Sequence, residues 1–183
     1  MPVAIVAPLL IFLALAGVFG VLIRRASRLL RITREADLFR VGLTDLAARV
    51  DRSLAGVVEL VDAVRRHQRD ASTIQDNLAA AIDAMARYGE EAAALTVPLA
   101  GPDRRTELIH ELDRAGRALE MISHGCELMA TASRPNAELE AQTSVKRGYL
   151  NLIHAREAVG RLASEAIALA TPAPRPLFKR GVR

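Results

Sequence analysis

Residues 103–135 read DRRTELIHELDRAGRALEMISHGCELMATASRP, and the fold follows from their pattern. Apolar or small residues recur at Leu108, Leu112, Ala115, Leu119, Ile122, Cys126 and Met129, in steps of 4, 3, 4, 3, 4 and 3. That spacing stacks all seven on one face of an α-helix, with charged residues opposite. Asp103 stands where an N-cap acceptor is wanted, with Thr106 and Glu107 in the first turn. Ser133-Arg134-Pro135-Asn136 breaks the pattern. A helix with one apolar face must bury it, so the chain has to supply others.

Three more stripes do so. The first runs through Phe39, Leu43, Leu46, Val50, Leu54, Val57, Val61 and Val64, with one extra four-residue step between Val50 and Leu54. Such a stutter unwinds a supercoil locally without breaking the helix. The second comprises Ile74, Leu78, Ile82, Met85, Tyr88, Ala92 and Leu95. Asp70-Ala71-Ser72-Thr73 between these two is either a turn with an N-cap or a solvated turn of a continuing helix; a turn near His67–Thr73 is favoured, since an unbroken helix to residue 96 would need partners along its whole length. The fourth comprises Val145, Tyr149, Leu152, Ala155, Val159, Leu162, Ala166 and Leu169. Val97-Pro98-Leu99-Ala100-Gly101-Pro102 separates the second from the third, and Thr171-Pro172-Ala173-Pro174-Arg175-Pro176 ends the fourth. Abundant Ala and Leu, absent Trp and 3% aromatics agree with helices rather than strands. The short, proline-bearing breaks let helices fold back, which favours an antiparallel bundle of three or four long helices over an extended parallel coiled-coil dimer.

The N-terminal stretch Val3–Ile23, VAIVAPLLIFLALAGVFGVLI, has no charged residue. At ~1.5 Å per residue it is about 31 Å long, the thickness of a bilayer's hydrocarbon core. Arg24, Arg25, Arg28, Arg31, Arg34 and Arg40 follow it, and no Lys or Arg precedes it. The expected fold is therefore all-α, with an N-terminal transmembrane helix ahead of the bundle. The positive-inside rule places the N-terminus outside and the bundle in the cytoplasm of a bacterial inner (plasma) membrane. A secreted or envelope protein cleaved after Ala14-Leu15-Ala16 is the competing reading, but a signal peptide wants a basic start and a shorter apolar run. The sequence divides into an anchor (1–23), an Arg-rich juxtamembrane helix (24–40), a helical bundle (41–170) and a Pro-rich basic tail (171–183).

Charge is partitioned along these segments. Residues 41–174 carry 15 basic and 19 acidic side chains, whereas Arg175, Lys179, Arg180 and Arg183 of the last nine residues face no acid. The net charge of +4 thus sits beside the apolar run and in the tail. Arg24, Arg25, Arg28, Arg31 and Arg34 are candidates for contact with anionic lipid, each worth on the order of 1 kcal/mol near the surface. No basic groove with interleaved aromatics points to nucleic acid. Ala16 and Gly20 form a small-xxx-small pair that would let anchors pack into a homo-oligomer.

Catalytic or cofactor chemistry finds little footing. Glu107-Leu108-Ile109-His110 has the Glu-x-x-His spacing of di-iron bundles. Yet His110 falls about 180° from its helix's apolar stripe and points outward, as do His124 (about 160°) and His154 (about 180°). Only His67 sits near a flank. The single cysteine, Cys126, lies in the third stripe, where a small buried hydrophobe is the expected role. No phosphate loop, nucleophile elbow or metalloprotease helix occurs. No enzyme activity, cofactor, metal or small-molecule substrate is expected. The residues that matter most are the bundle core: Leu46, Val50, Leu54, Val57, Leu108, Leu112, Leu119, Ile122, Cys126, Tyr149, Leu152 and Leu162.

Glu59-Leu60-Val61-Asp62-Ala63-Val64-Arg65-Arg66-His67 is similar to the Asn-Leu-Val-x-x-Val-Lys-x-Tyr segment of the LemA family of bacterial membrane proteins. Arg147-Gly148-Tyr149-Leu150-Asn151 through Leu177-Phe178 is similar to that family's closing helix and aromatic tail. The resemblance is to a divergent relative: the family's Trp is missing, and Arg52-Ser53-Leu54-Ala55-Gly56 stands where its Arg-Arg-x-Asp-Leu-Ile-Pro-Asn run would fall. It implies a helical bundle with the N-terminus out and the C-terminus in, and no catalytic residues. The expected function is a scaffold or protein-interaction module at the cytoplasmic face, binding other proteins through helix faces. A membrane signalling module, with the stuttered helix as transmitter, is the alternative.

Overall fold

The computed structural model describes residues 3–97, 103–131 and 135–168, with side chains from residue 17 onward except 18, 26, 28–30, 32 and 135. Four α-helices account for nearly all of them: α1 (Val3–Arg65), α2 (Gln75–Ala94), α3 (Arg104–Thr131) and α4 (Pro135–Ala168). A 3-10 turn, Ala71–Ile74, precedes α2. Among the described residues there is no strand.

The helices form a square in which α1 packs on α2 and α4, and α3 packs on the same two from the opposite corner. Cross-helix contacts fix the directions. Ser53 meets Tyr88 at 3.0 Å, Gln75 meets Ser123 at 2.9 Å, Arg104 meets Glu165 at 3.0 Å and Asp51 meets Arg156 at 2.6 Å. A second contact in each pair runs the opposite way along the partner: Gly42 with Leu95, Arg105 with Ala93, Gly125 with Val145, and Arg65 with Tyr149. Every neighbouring pair is therefore antiparallel. The bundle is up-down-up-down, and the parallel extended dimer is not the arrangement adopted.

All eight residues of the first stripe are buried, and α1 passes the Val50–Leu54 step without interruption. The third stripe is buried from Leu108 to Cys126, with Met129 half-buried. From the 3-10 turn into α2 the buried line is Ile74, Leu78, Ala81, Met85 and Ala92; Ile82, placed in the stripe from sequence, is only half-buried. Alanine takes its place because α2 presents its face to α1 and α3 together, and a small side chain fits between them. Helix α4 begins ten residues ahead of its expected stripe, opened by Pro135, whose missing N–H costs nothing at a first helical position. Ala141 of that added stretch is fully buried. Leu169 and the tail 171–183 lie outside the described residues.

The ends of the helices follow from local chemistry. Asp103 caps α3 as its position suggested, accepting from the Thr106 N–H at 3.3 Å and the Thr106 hydroxyl at 2.8 Å. Helix α1 stops in the expected region by a Schellman motif. The Gln68 N–H donates to the Ala63 carbonyl at 2.9 Å and the His67 N–H to the Val64 carbonyl at 3.0 Å. This turn puts His67 at φ 56°, a left-handed position that glycine usually fills.

Core packing on α1 begins at Phe39, two residues before the expected boundary at 41. Among the described side chains of residues 24–38 none is buried, so this stretch forms a neck ahead of the bundle core. The expected span at 1–23 is the point of difference. Among the described residues no helix is long and apolar enough to cross a membrane. Side chains 3–16 lie outside those described, and the described remainder, 17–23, is only about 10 Å of helix against a ~30 Å core. The transmembrane helix is accordingly taken up below as a proposal.

Candidate interaction surfaces

The neck carries the basic residues. Arg24, Arg25, Arg31 and Arg34 are exposed; the side chain of Arg28 is outside the described set. Arg31 lies 3.6 Å from Glu35, and Arg40 lies 3.3 Å from Asp37, so the neck's two acids are engaged within their own helix. Where the neck meets the bundle, Leu38 and Val41 are 66% and 58% exposed. They lie roughly 120–180° around α1 from the buried Phe39 and Leu43. With Thr33, Arg34 and Asp37 they edge a shallow concavity of about 460 Å³. Gly20 of the small-xxx-small pair faces open space, and Ala16 is outside the described side chains.

The opposite end of the bundle is built around the α1–α2 turn. The Arg65 guanidinium lies over the Tyr149 ring, 4.2 Å from its centroid, and its Nη1 is 3.3 Å from Asp62. Arg66 takes the other oxygen of Asp62 at 2.7 Å. A second aromatic clasp joins α1 to α2: Arg49 sits 5.5 Å from the Tyr88 ring centroid and pairs with Glu91. That hydrogen bond raises the Arg49 pKa and lowers the Glu91 pKa, so both stay charged at neutral pH.

Of the core residues named from sequence, Leu46, Val50, Leu54, Val57, Leu108, Leu112, Leu119, Ile122, Cys126, Leu152 and Leu162 are buried in one continuous cluster. Tyr149 is half-buried at the edge of that cluster, because its ring serves as the platform for Arg65. Burial pushes the Cys126 thiol up to about 11, with Glu127 adding to the effect, which makes it a poor nucleophile. His110, His124 and His154 are exposed, as their positions on the helices required. Glu107 is drawn to Arg104 at 2.7 Å. Among the described residues no three His, Cys, Asp or Glu side chains gather where a metal could be held.

Sequence reasoning missed the tightest contact in the molecule. Helices α3 and α4 share the most extensive interface, and a glycine from each sits in it. Gly125 faces Ala141 and Val145, while Gly148 faces Ala118 and Ile122. The signal was present as paired spacings, Ile122-x-x-Gly125 and Val145-x-x-Gly148, since glycine inside a clean helical stripe usually marks a close backbone approach.

Fold and surfaces together define a four-helix up-down bundle with a long N-terminal helical extension. No protein-family model matches the chain, and no curated protein or solved structure matches it either.

Proposed function

We propose that the chain is a single-pass membrane-anchored helical bundle that acts as a scaffold or protein-interaction module at the cytoplasmic face of the membrane. One observation carries the reading: the uncharged run 3–23, the arginine neck and the first core stripe all belong to one unbroken helix, α1. An apolar run placed in the bilayer would therefore hold the bundle at a fixed distance, with ~24 Å of neck between Ile23 and Phe39. Arg24, Arg25, Arg28 and Arg31 fall within about one Debye length of such a surface and would rest on anionic lipid. Leu38 and Val41 are the apolar residues most open to a partner helix at the junction. Kinship with the LemA family is proposed on residues 59–67 and 147–178 and fits the same topology.

Topology tests it. A C-terminal reporter, with protease protection of spheroplasts, should find the C-terminus shielded; accessibility from outside would overturn the cytoplasmic placement. Photo-crosslinkers at positions 38 and 41 should then trap a protein partner, and no adduct from intact cells would count against the scaffold role. The signalling reading is kept because α1 runs through the Val50–Leu54 step with both residues buried, so a rotation of the neck would reach the core. Deleting the extra four-residue step, residues 51–54, to restore a regular heptad should change output if signalling is the role.

A further inference from the structure

At the end of the bundle far from the neck, Val64, Val145 and Met129 floor a concavity of about 210 Å³. Its rim carries Arg65, His67, Lys146 and Gln142, and no carboxylate lines it. We propose that this concavity binds a single phosphoryl group, held by the Arg65 guanidinium, the Lys146 ammonium and the His67 ring.

Three independent features support the assignment. The first is His67 itself. The Schellman turn needs a left-handed residue there, and glycine would supply it without strain. A histidine in that position keeps a backbone cost that glycine would not, and His67 lines the concavity. The second is Lys146. Arg65 and Arg66 are accounted for by the last turn of α1 and by Asp62, but Lys146 projects from the middle of α4, where no helix end favours a cation. Among the described residues it has no ion pair or hydrogen bond. The third is preorganisation. Stacking on Tyr149 and the 3.3 Å contact with Asp62 hold Arg65 in place before any ligand arrives.

The surrounding acids do not close the site. Asp62 is shared between two arginines, and Glu138 accepts from the Gln142 amide at 3.3 Å. At ~30 Å³ per water the concavity holds about seven waters, room for a phosphate and part of its hydration shell. Cationic donors from two helices suit an anion with several acceptor oxygens. Phosphate and a phosphomonoester share this chemistry. The site is independent of the membrane reading: Val64 is ~62 Å along α1 from Ile23, too far to meet lipid at the anchor.

The test is a titration of the full chain in detergent, with ¹³C-labelled histidine, by inorganic phosphate and separately by glycerol phosphate, chloride holding ionic strength constant. Saturable shifts of the His67 ring signals, absent from those of exposed His124 and His154, are expected. Binding of both probes would place the ester outside the concavity, and binding of phosphate alone would identify the free ion as the source. Lys146→Gln should weaken binding about tenfold, as the loss of one charge-assisted hydrogen bond does. His67→Gly keeps the left-handed turn, so it should weaken binding similarly, read from the Gln142 side-chain amide in ¹⁵N-labelled chain, without lowering thermal stability. Equal shifts at all three histidines, or unchanged affinity in both variants, would overturn the proposal.

Discussion

Replacing Gly148 by alanine should destabilise the bundle, although helix propensity argues for the opposite. In an exposed helix interior the exchange gains about 1 kcal/mol. At Gly148 the new Cβ would lie 2.6 Å from Ile122 Cγ1, 2.8 Å from the Ala118 carbonyl oxygen and 3.1 Å from the Ile122 nitrogen. A side-chain methylene can rotate away, but two of these three atoms are backbone of α3, so the helices themselves must separate. Overpacking of this kind costs typically 1–3 kcal/mol, leaving a net loss of up to about 2 kcal/mol once propensity is set against it. At this chain length that lowers Tm by up to roughly 8 °C. Gly125→Ala should behave alike, its Cβ meeting Val145 Cγ2 at 2.7 Å and the Ala141 oxygen and Val145 nitrogen at 3.0 Å. The two sites interlock, so a seam already widened by one substitution accommodates the second more cheaply. The double variant should therefore lose less than the sum of the singles. Gly160 and Gly116 have nothing within 4 Å of an added Cβ, and their alanine variants should gain up to about 1 kcal/mol. Thermal and urea unfolding, followed by circular dichroism at the helical band, reads all five proteins. Stabilisation by Gly148→Ala equal to that by Gly160→Ala would refute the close-approach argument.

Other expectations are as direct. His67→Gly should raise stability by about 0.5–1 kcal/mol, seen as a higher urea midpoint with unchanged slope, because it removes a left-handed non-glycine residue. Thr106 holds the Asp103 carboxylate pKa below its usual value, so the cap stabilises above the unfolded pKa and fades as pH falls through the folded one. The Tm gap between wild type and Asp103→Ala should accordingly be full at neutral pH and shrink once pH falls below the ordinary aspartate pKa of about 3.9. Cys126, with its thiol near 11, should resist alkylation in the folded chain at neutral pH and react fully in denaturant, as mass spectrometry would report. Tyr149→Phe keeps a face for Arg65 and should be nearly neutral, whereas Tyr149→Leu should cost about 0.5–1 kcal/mol on the same unfolding curves.

The core was legible because large apolar residues at 3- and 4-residue spacing leave few alternatives: Leu108 through Cys126 and Phe39 through Val64 are buried where the pattern placed them. Small residues were not. Ala81, Ala118, Ala141, Gly125 and Gly148 are buried, yet alanine and glycine look the same in sequence whether they face solvent or a neighbouring backbone. The first ten residues of α4 escaped notice for that reason, since Ala141 alone marks their inner face. The break after α1 was expected from the need for partners, but the geometry that makes it was hidden, because a histidine does the work of a glycine. Of the distal concavity, sequence exposed only that His67 lay near a flank. Its partners Lys146 and Gln142 come from a helix some eighty residues later, and only the fold brings them together.

The antiparallel square places the entry of α1 at Phe39 and the end of α4 at Ala168 on the same face of the bundle. This makes resistance to force depend on where the load is applied. Tension between the neck and the start of α4 at Pro135, at the opposite end of the bundle, runs parallel to the seam of α1 with α4, straining its contacts together, so rupture needs them all to fail at once. Tension between the neck and the end of α4 at Ala168 instead pulls two adjacent helix ends apart, and the seam opens one turn at a time. The same bundle would thus hold firm against a partner gripping the start of its last helix and open readily for one gripping that helix's end.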